Sequence, residues 1–182
     1  MQMPMPRTDN TLVLVIDIQE RLLPALSQVE AFSAATVRFI EGCRLLDVPL
    51  LLTEQYPKGL GATVEPVSRA CADAPRFEKT RFSAYTPEVA AAIAQKQPEN
   101  IVLIGCETHI CVLQTALDLL AQGMRVYALE DALTSRTEAN KANGLRQMQA
   151  AGAIVSNSES VLFQFLGDAK HPQFKAVSKL IQ

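Results

Sequence analysis

The chain has 182 residues, 48% of them hydrophobic and 20% charged, with a formal net charge of -2. That is the size and composition of one globular domain, taken over residues 1–182, with enough apolar material to bury a core. No dense Lys/Arg cluster accompanies the near-neutral charge, which removes the electrostatic basis for nucleic acid or an anionic membrane as partner and leaves small-molecule and protein partners open.

Apolar, β-branched-rich runs alternate with helical patterns, which predicts a three-layer α/β/α fold on a Rossmann-like open parallel sheet of about six strands. The first strand is Leu12–Asp17. In Ala31–Leu46, Phe32, Ala35, Phe39, Ile40, Cys43 and Leu46 fall on one face of a helix. Pro49–Thr53 is the second strand, and Gln55–Cys71, rich in Gly and Pro, is an excursion over the sheet edge. A short strand at Arg76–Lys79 precedes a helix at Pro87–Gln97 with proline in its first turn. Ile101–Gly105 is the fourth strand. The next helix begins at or near Cys111 and stops before Gly123. Arg125–Leu129 is the fifth strand, Glu138–Ala151 a helix and Ala153–Ser156 the sixth strand.

No apolar run approaches the roughly 20 residues that cross a bilayer. The start, Met1 to Thr8, has no apolar core of an export signal, so a cytoplasmic setting is expected. Cys43, Cys71, Cys106 and Cys111 are then expected as thiols. The spacing of Cys106 and Cys111 is compatible with a metal or redox pair, but zinc needs two such pairs or added histidines, and His109 and His171 are the only two present. No metal and no cofactor is expected.

In an open α/β sheet, ligands bind at the carboxyl ends of the strands where the strand order reverses. Asp17, Glu54, Gln55, the loop from Cys106 to Cys111, and Asp131 all fall at such ends, so one cleft is expected to collect them. A cysteine at a helix N-terminus is placed to be reactive, because unpaired amides and the positive dipole end stabilise a thiolate. With Lys79 as a neighbouring cation, Cys111 is expected to be the most acidic of the four thiols. The plainer reading makes it a small buried hydrophobe. Asp17 interrupts the apolar run Val13-Leu-Val-Ile-Asp-Ile-Gln19 as either a cap on the following amides or a general base. Lys79 is either a solvated surface charge or a fixed cation that keeps a carboxylate and a thiolate charged and stabilises charge developing on a substrate.

Asp17 in Val-Ile-Asp-Ile-Gln, Lys79 in Glu-Lys-Thr-Arg-Phe-Ser and Cys111 in Gly-Cys-Glu-Thr-His-Ile-Cys-Val together resemble the Asp, Lys and Cys triad of the isochorismatase-like cysteine hydrolases. The resemblance spans roughly Thr11 to Leu166. Leu51-Leu-Thr-Glu-Gln-Tyr-Pro-Lys-Gly-Leu-Gly61 and Glu159-Ser-Val-Leu-Phe-Gln-Phe-Leu-Gly-Asp168 look closer still to the isochorismatase domain-containing proteins. The resemblance implies that Cys111 attacks a carbonyl-type carbon, that Asp17 serves each proton transfer, and that the backbone N–H groups of Glu107 and Cys111 hold the oxyanion. It also implies a cis peptide at Cys106–Glu107, a geometry rare outside proline. Gln19, Gln55, Phe82, Tyr85 and Thr134 are expected as pocket wall, His109 as a loop residue beside the cleft, and Tyr56 and Phe77 as core.

Nicotinamidases resemble this chain in fold and triad but carry an Asp-x-His motif and a further His for a metal after the second strand. Here that stretch reads Thr53-Glu-Gln-Tyr56, a poor transition-metal site. The expectation is a metal-independent cysteine hydrolase of a small amide-like substrate. The contrasting reading is an interaction protein that keeps the fold, with Cys111 idle or redox-sensing. A homo-oligomer is expected, since related hydrolases assemble and the Cys111 helix carries Val112, Leu113, Ala116, Leu117, Leu119 and Leu120, unless the monomer buries them all.

Overall fold

The computed structural model describes residues 5–182; Met1 to Pro4, half of the stretch read above for an export signal, lie outside the described residues. In chain order the elements are β1 (Thr11–Ile16), α1 (Val29–Leu45), β2 (Leu50–Gln55), α2 (Pro57–Leu60), α3 (Glu65–Ala70), β3 (Arg76–Lys79), α4 (Pro87–Lys96), β4 (Asn100–Cys106), α5 (Leu113–Ala121), β5 (Arg125–Thr134), α6 (Glu138–Ala150), β6 (Ile154–Ser156), α7 (Ser158–Leu166) and α8 (Phe174–Leu180). The six strands form one sheet in the order β3-β2-β1-β4-β5-β6, and every neighbouring pair is parallel. Strand order therefore reverses between β1 and β4, the place where such sheets open a crevice at their carboxyl ends.

The period of two along β1 explains the three layers. Val13 and Val15 face a core with Phe32, Phe39 and Ile40 of α1, Val67 of α3, and Val161 and Leu162 of α7. Leu12, Leu14 and Ile16 face the opposite core with Val89 and Ile93 of α4, Ala116 and Leu119 of α5, and Met148 of α6. A strand covered on both faces runs almost continuously apolar, as β1 does from Leu12 to Ile16. Side-chain oxygens start three of the helices: Thr86, Thr137 and Asn157 accept from the amides of Val89, Asn140 and Ser160.

The structure departs from the sequence reading where tertiary contacts override local pattern. β1 stops one residue early because Asp17 takes φ 53°, in the left-handed region. β5 continues to Thr134, with a register shift that pairs Leu103 with Ala128 but Gly105 with Leu133. The excursion from Gln55 contains α2 and α3 and is pinned to the sheet by a bridge between Gln19 and Thr63. α7 and α8, absent from the sequence reading, complete the α1 side. α5 begins at Leu113, after a π-helical turn over Thr108–Val112, so Cys111 lies inside a wound segment. Of the apolar residues on this helix, Val112, Leu113, Ala116 and Leu119 are buried and Leu117 is exposed, so the monomer absorbs most of them. Among the described residues no helix is long and apolar enough to cross a membrane.

β1 and β4 meet tightly at Gly105, where φ is +120° and an added Cβ would lie 2.1 Å from the Ile16 carbonyl oxygen. Backbone on one side and a disallowed φ on the other leave no relaxed conformation for a side chain. Gly105→Ala is expected to cost at least about 3 kcal/mol in urea unfolding. A loss under about 1 kcal/mol would mean that this pinch point is not rigid.

Candidate active site

Three strand ends and one turn build the site at the reversal point. Asp17 follows β1 and is fully buried. Its left-handed backbone turns the carboxylate back across the end of the sheet, where Oδ1 accepts from the Thr53 hydroxyl at 2.8 Å and Oδ2 from Lys79 Nζ at 2.7 Å. The parallel register that sets Ile16 beside Thr53 and Gln55 beside Lys79 brings these residues together. The Asp17 carbonyl accepts from the Cys106 thiol at 3.2 Å, joining β4 to the same corner.

Lys79 is as buried as its partner, with 1% of its side chain exposed. Besides Asp17, its ammonium meets Gln55 Oε1 at 2.6 Å and the carbonyls of Phe82 and Arg81 at 2.9 and 3.1 Å. An ammonium has three N–H donors, so four protein acceptors saturate it. Lys79 is a fixed internal cation, neither the solvated charge of the plainer reading nor a free donor aimed at a substrate. Burial raises the Asp17 carboxyl above its usual range, and the Lys79 charge and the hydrogen bonds from Lys79, Thr53 and Cys111 pull against that rise.

Cys111 is buried at 7% exposure within the π-helical turn and interacts with Asp17. Cys111 is not the acidic thiol expected from its place near a helix N-terminus. Burial pushes the Cys111 thiol up to about 12, Asp17 adds to the rise, Lys79 opposes it, and Glu107 raises it further. Cys71, remote from the site, is pushed by burial to about 11. Cys43 and Cys106 are raised well above the ordinary thiol value by their complete burial. Burial of the thiol, with a carboxylate as its neighbour, accounts for the difference. All four cysteines are free.

The Cys106–Glu107 peptide is cis, as the resemblance implied. Glu107 points its carboxylate at Arg136, whose Nε lies 2.9 Å away. Thr108 donates to the Thr134 carbonyl at 3.0 Å, and His109 Nδ1 lies 3.0 Å from the Ser135 hydroxyl. The end of β5 thus braces this turn from one side. α6 braces it from another: an added Cβ at Gly144 would lie 2.9 Å from His109 Cα and from the Thr108 carbonyl oxygen.

The residues expected as pocket wall divide. Phe82 is exposed and Tyr85 partly buried. Gln55 holds Lys79, and its own amide donates to the Thr80 carbonyl. Gln19 is fully buried with both amide atoms spent on backbone, donating to the Gln55 and Gly61 carbonyls and accepting from the Gln55 amide. Thr134 donates its hydroxyl to the Ser27 carbonyl at 2.7 Å. Two expectations fail outright. Asp131 leaves the cleft to accept from the Ser158 amide and hydroxyl at the start of α7. Tyr56, expected in the core, is 54% exposed, whereas Phe77 packs against the core as anticipated. Glu54 is buried and committed to Thr63 and Arg76. Among the described residues no three of His, Cys, Asp and Glu converge as metal ligands.

A cleft of about 430 Å³ opens beside Lys79, with Tyr56, Thr80, Arg81, Thr86 and Pro87 in its wall. Asp17 and Cys111 are not in that wall, and Lys79 is the link between it and them. The sequence reading missed Thr53, which only the β1–β2 register exposes, and Thr115, treated below.

A doubly wound parallel sheet with a buried thiol, carboxylate and ammonium at its reversal point defines the class of protein. An isochorismatase domain model matches residues 11–160. The chain is 40% identical over 173 residues to isochorismatase domain-containing protein 1 of Salmo salar, covering 94% of this chain and 61% of that relative, so it spans about three fifths of the relative's length. The solved MAR1 ribonuclease of Caenorhabditis elegans is similar at 37% identity and a TM-score of 0.94, covering 98% of this chain and 92% of that one. The Escherichia coli YcaC product, described as an octameric hydrolase of unknown specificity, shares the fold at 20% identity and a TM-score of 0.94, covering 100% of this chain and 91% of that one. The chain belongs to the isochorismatase family.

Lys79→Met leaves the Asp17 carboxylate buried with no counter-charge, which is expected to cost about 3–5 kcal/mol near pH 8. The sign with pH follows from linkage. A carboxyl whose folded pKa is raised binds more protons folded than unfolded, so stability falls as pH rises from the ordinary value of 3.8 through the folded value. Removing Lys79 raises the folded value further. The deficit should therefore shrink on acidification when urea unfolding is followed from pH 8 to pH 5. A deficit independent of pH would mean that Asp17 and Lys79 are not coupled.

Proposed function

We propose that the chain, acting as one domain, is a metal-independent cysteine hydrolase of a small amide-like substrate, with Cys111 as nucleophile, Asp17 as general base and acid, and Lys79 as the fixed cation that orients Asp17. The observation that carries the reading is the Asp17 carboxylate, bound on one side by Lys79 and Thr53 and interacting on the other with the Cys111 thiol. A thiol pushed up to about 12 is protonated at neutral pH, so attack needs a base in contact with it.

The steps balance around that one carboxylate. Asp17 takes the S–H proton as sulfur bonds to the carbonyl carbon, and the C=O electron pair moves onto oxygen, facing the backbone amides of Glu107 and Cys111. The oxyanion collapses, the C–N bond breaks, and the nitrogen leaves with the proton from Asp17. A water then gives its proton to Asp17 and attacks the thioester. The C–S bond breaks, and the proton returns to sulfur. No step calls for a Lewis acid or a cofactor.

The burial of Cys111 favours a second reading, in which the thiol is idle and the fold serves as an interaction module. A panel of small amides, ureides and isochorismate separates the two, and RNA belongs in it because the Caenorhabditis elegans neighbour is named a ribonuclease. Turnover of an amide-type member is expected to fall by at least about a thousandfold in Cys111→Ala. Equal turnover in wild type and variant overturns the assignment. Asp17 must be ionised to act as base and its carboxyl sits above the usual range, so kcat/KM should fall on acidification at a higher pH than an ordinary carboxylate gives.

A homo-oligomer belongs to the same reading, prompted by the octameric YcaC neighbour, with exposed Leu117 as contact surface. Light scattering at micromolar concentration should give a mass well above the 19.9 kDa of one chain. A mass equal to one chain rejects it. A cytoplasmic setting, with its reducing thiol pool, suits four free cysteines.

A further inference from the structure

We propose that Thr115 is a positioning residue that locks the Cys111 turn to the loop holding Lys79, an inference that rests on the roles given above to Asp17, Lys79 and Cys111. Thr115 is fully buried on α5, one turn beyond Cys111. Its hydroxyl donates to the Cys111 carbonyl at 2.6 Å and accepts from the Ala84 amide at 2.8 Å.

The first of these bonds is ordinary, since threonine commonly donates to the carbonyl four residues back in a helix. The second is not, because Ala84 belongs to another part of the chain. It lies in the segment after β3, whose Arg81 and Phe82 carbonyls receive Lys79 Nζ. One helical turn further along α5, Asp118 accepts from the Ser83 hydroxyl at 2.6 Å. α5 therefore grips the Lys79 loop at two successive points.

Hydrogen bonds and one electrostatic interaction close a ring. Cys111 binds Thr115 through its carbonyl, Thr115 binds Ala84, the same loop binds Lys79 at Phe82, Lys79 binds Asp17, and Asp17 interacts with the Cys111 thiol. A hydroxyl is the smallest group that donates and accepts at once, and both capacities are needed here. Valine fills the same volume and supplies neither. It would strand the Ala84 amide in the interior and free the loop that holds the ammonium against Asp17. Any loosening of that contact raises the Asp17 carboxyl further, because the cation is what opposes its burial.

The test follows alkylation of Cys111 by iodoacetamide against pH, read by peptide mass spectrometry, so it needs no substrate. Wild type should show an acid limb that Asp17→Asn removes. Thr115→Val should move that limb up by about one unit, the size expected when part of a close ion pair is lost. Thr115→Ser, which keeps donor and acceptor, should return it to the wild-type position. A purely structural role would lower the melting temperature in both variants without moving the limb. If Thr115→Val does not fold, Asp118→Ala, which releases the neighbouring grip at a less buried position, should shift the limb in the same direction. A limb that stays in place in a folded Thr115→Val protein, or in Asp118→Ala, overturns this inference alone, as does a shift that Thr115→Ser fails to reverse. A wild-type profile with no limb sensitive to Asp17 overturns the underlying reading as well.

Discussion

A carboxylate and an ammonium 2.7 Å apart, both out of reach of solvent, can persist only if every remaining hydrogen-bonding valence is met. Thr53 and Gln55 at the end of β2 and the Arg81 and Phe82 carbonyls of the loop after β3 meet them. The ion pair thus dictates the local architecture. β1 must break into a left-handed residue to aim Asp17, β3 must end at Lys79, and the loop after β3 must turn two carbonyls inward. Gln19 secures the same corner from below by holding the end of β2 against Gly61.

The same burial sets the chemistry. It makes the thiol reluctant to ionise and the carboxylate more basic than one in water, which are complementary shifts. On the proposed mechanism, nucleophilicity is generated only when sulfur, carboxylate and an electrophile are aligned. A resting thiolate, exposed to every oxidant and alkylator, is avoided.

Much of this was legible in the amino-acid sequence, for particular reasons. β1, β3 and β4 are short apolar or bounded runs whose places follow from the alternation with helices, with β1 and β4 displaced by one residue at their ends. Asp17 stood out because a carboxylate inside Val13-Leu-Val-Ile-Asp is costly without a partner. The extension of β5 to Thr134 was hidden, since its register shift depends on contacts with Gly105 and Cys106 across the sheet. The acidity of Cys111 was misjudged because a strand-loop-helix pattern does not reveal a π-helical turn, nor how deeply it is covered. Asp131 looked like a cleft residue by its place after Leu129. It caps α7 instead, and α7 itself was not read from the pattern. Thr115 carries no local signal, because its second partner, Ala84, is 31 positions away in sequence.

Lys58, Glu78, Arg81 and Glu88 line the outer cleft, while Lys79 lies at its inner wall with Asp17 behind it. Dissolved ions reach the first group and not the second. Around 0.15 M ionic strength, charges at the rim interact over no more than about 8 Å, whereas the buried pair feels almost no screening. Ionic strength is therefore a means of separating two stages that act in succession. Added salt weakens whatever attraction the rim exerts on an arriving charged molecule, and leaves the proton transfer proposed between Asp17 and the thiol as it was.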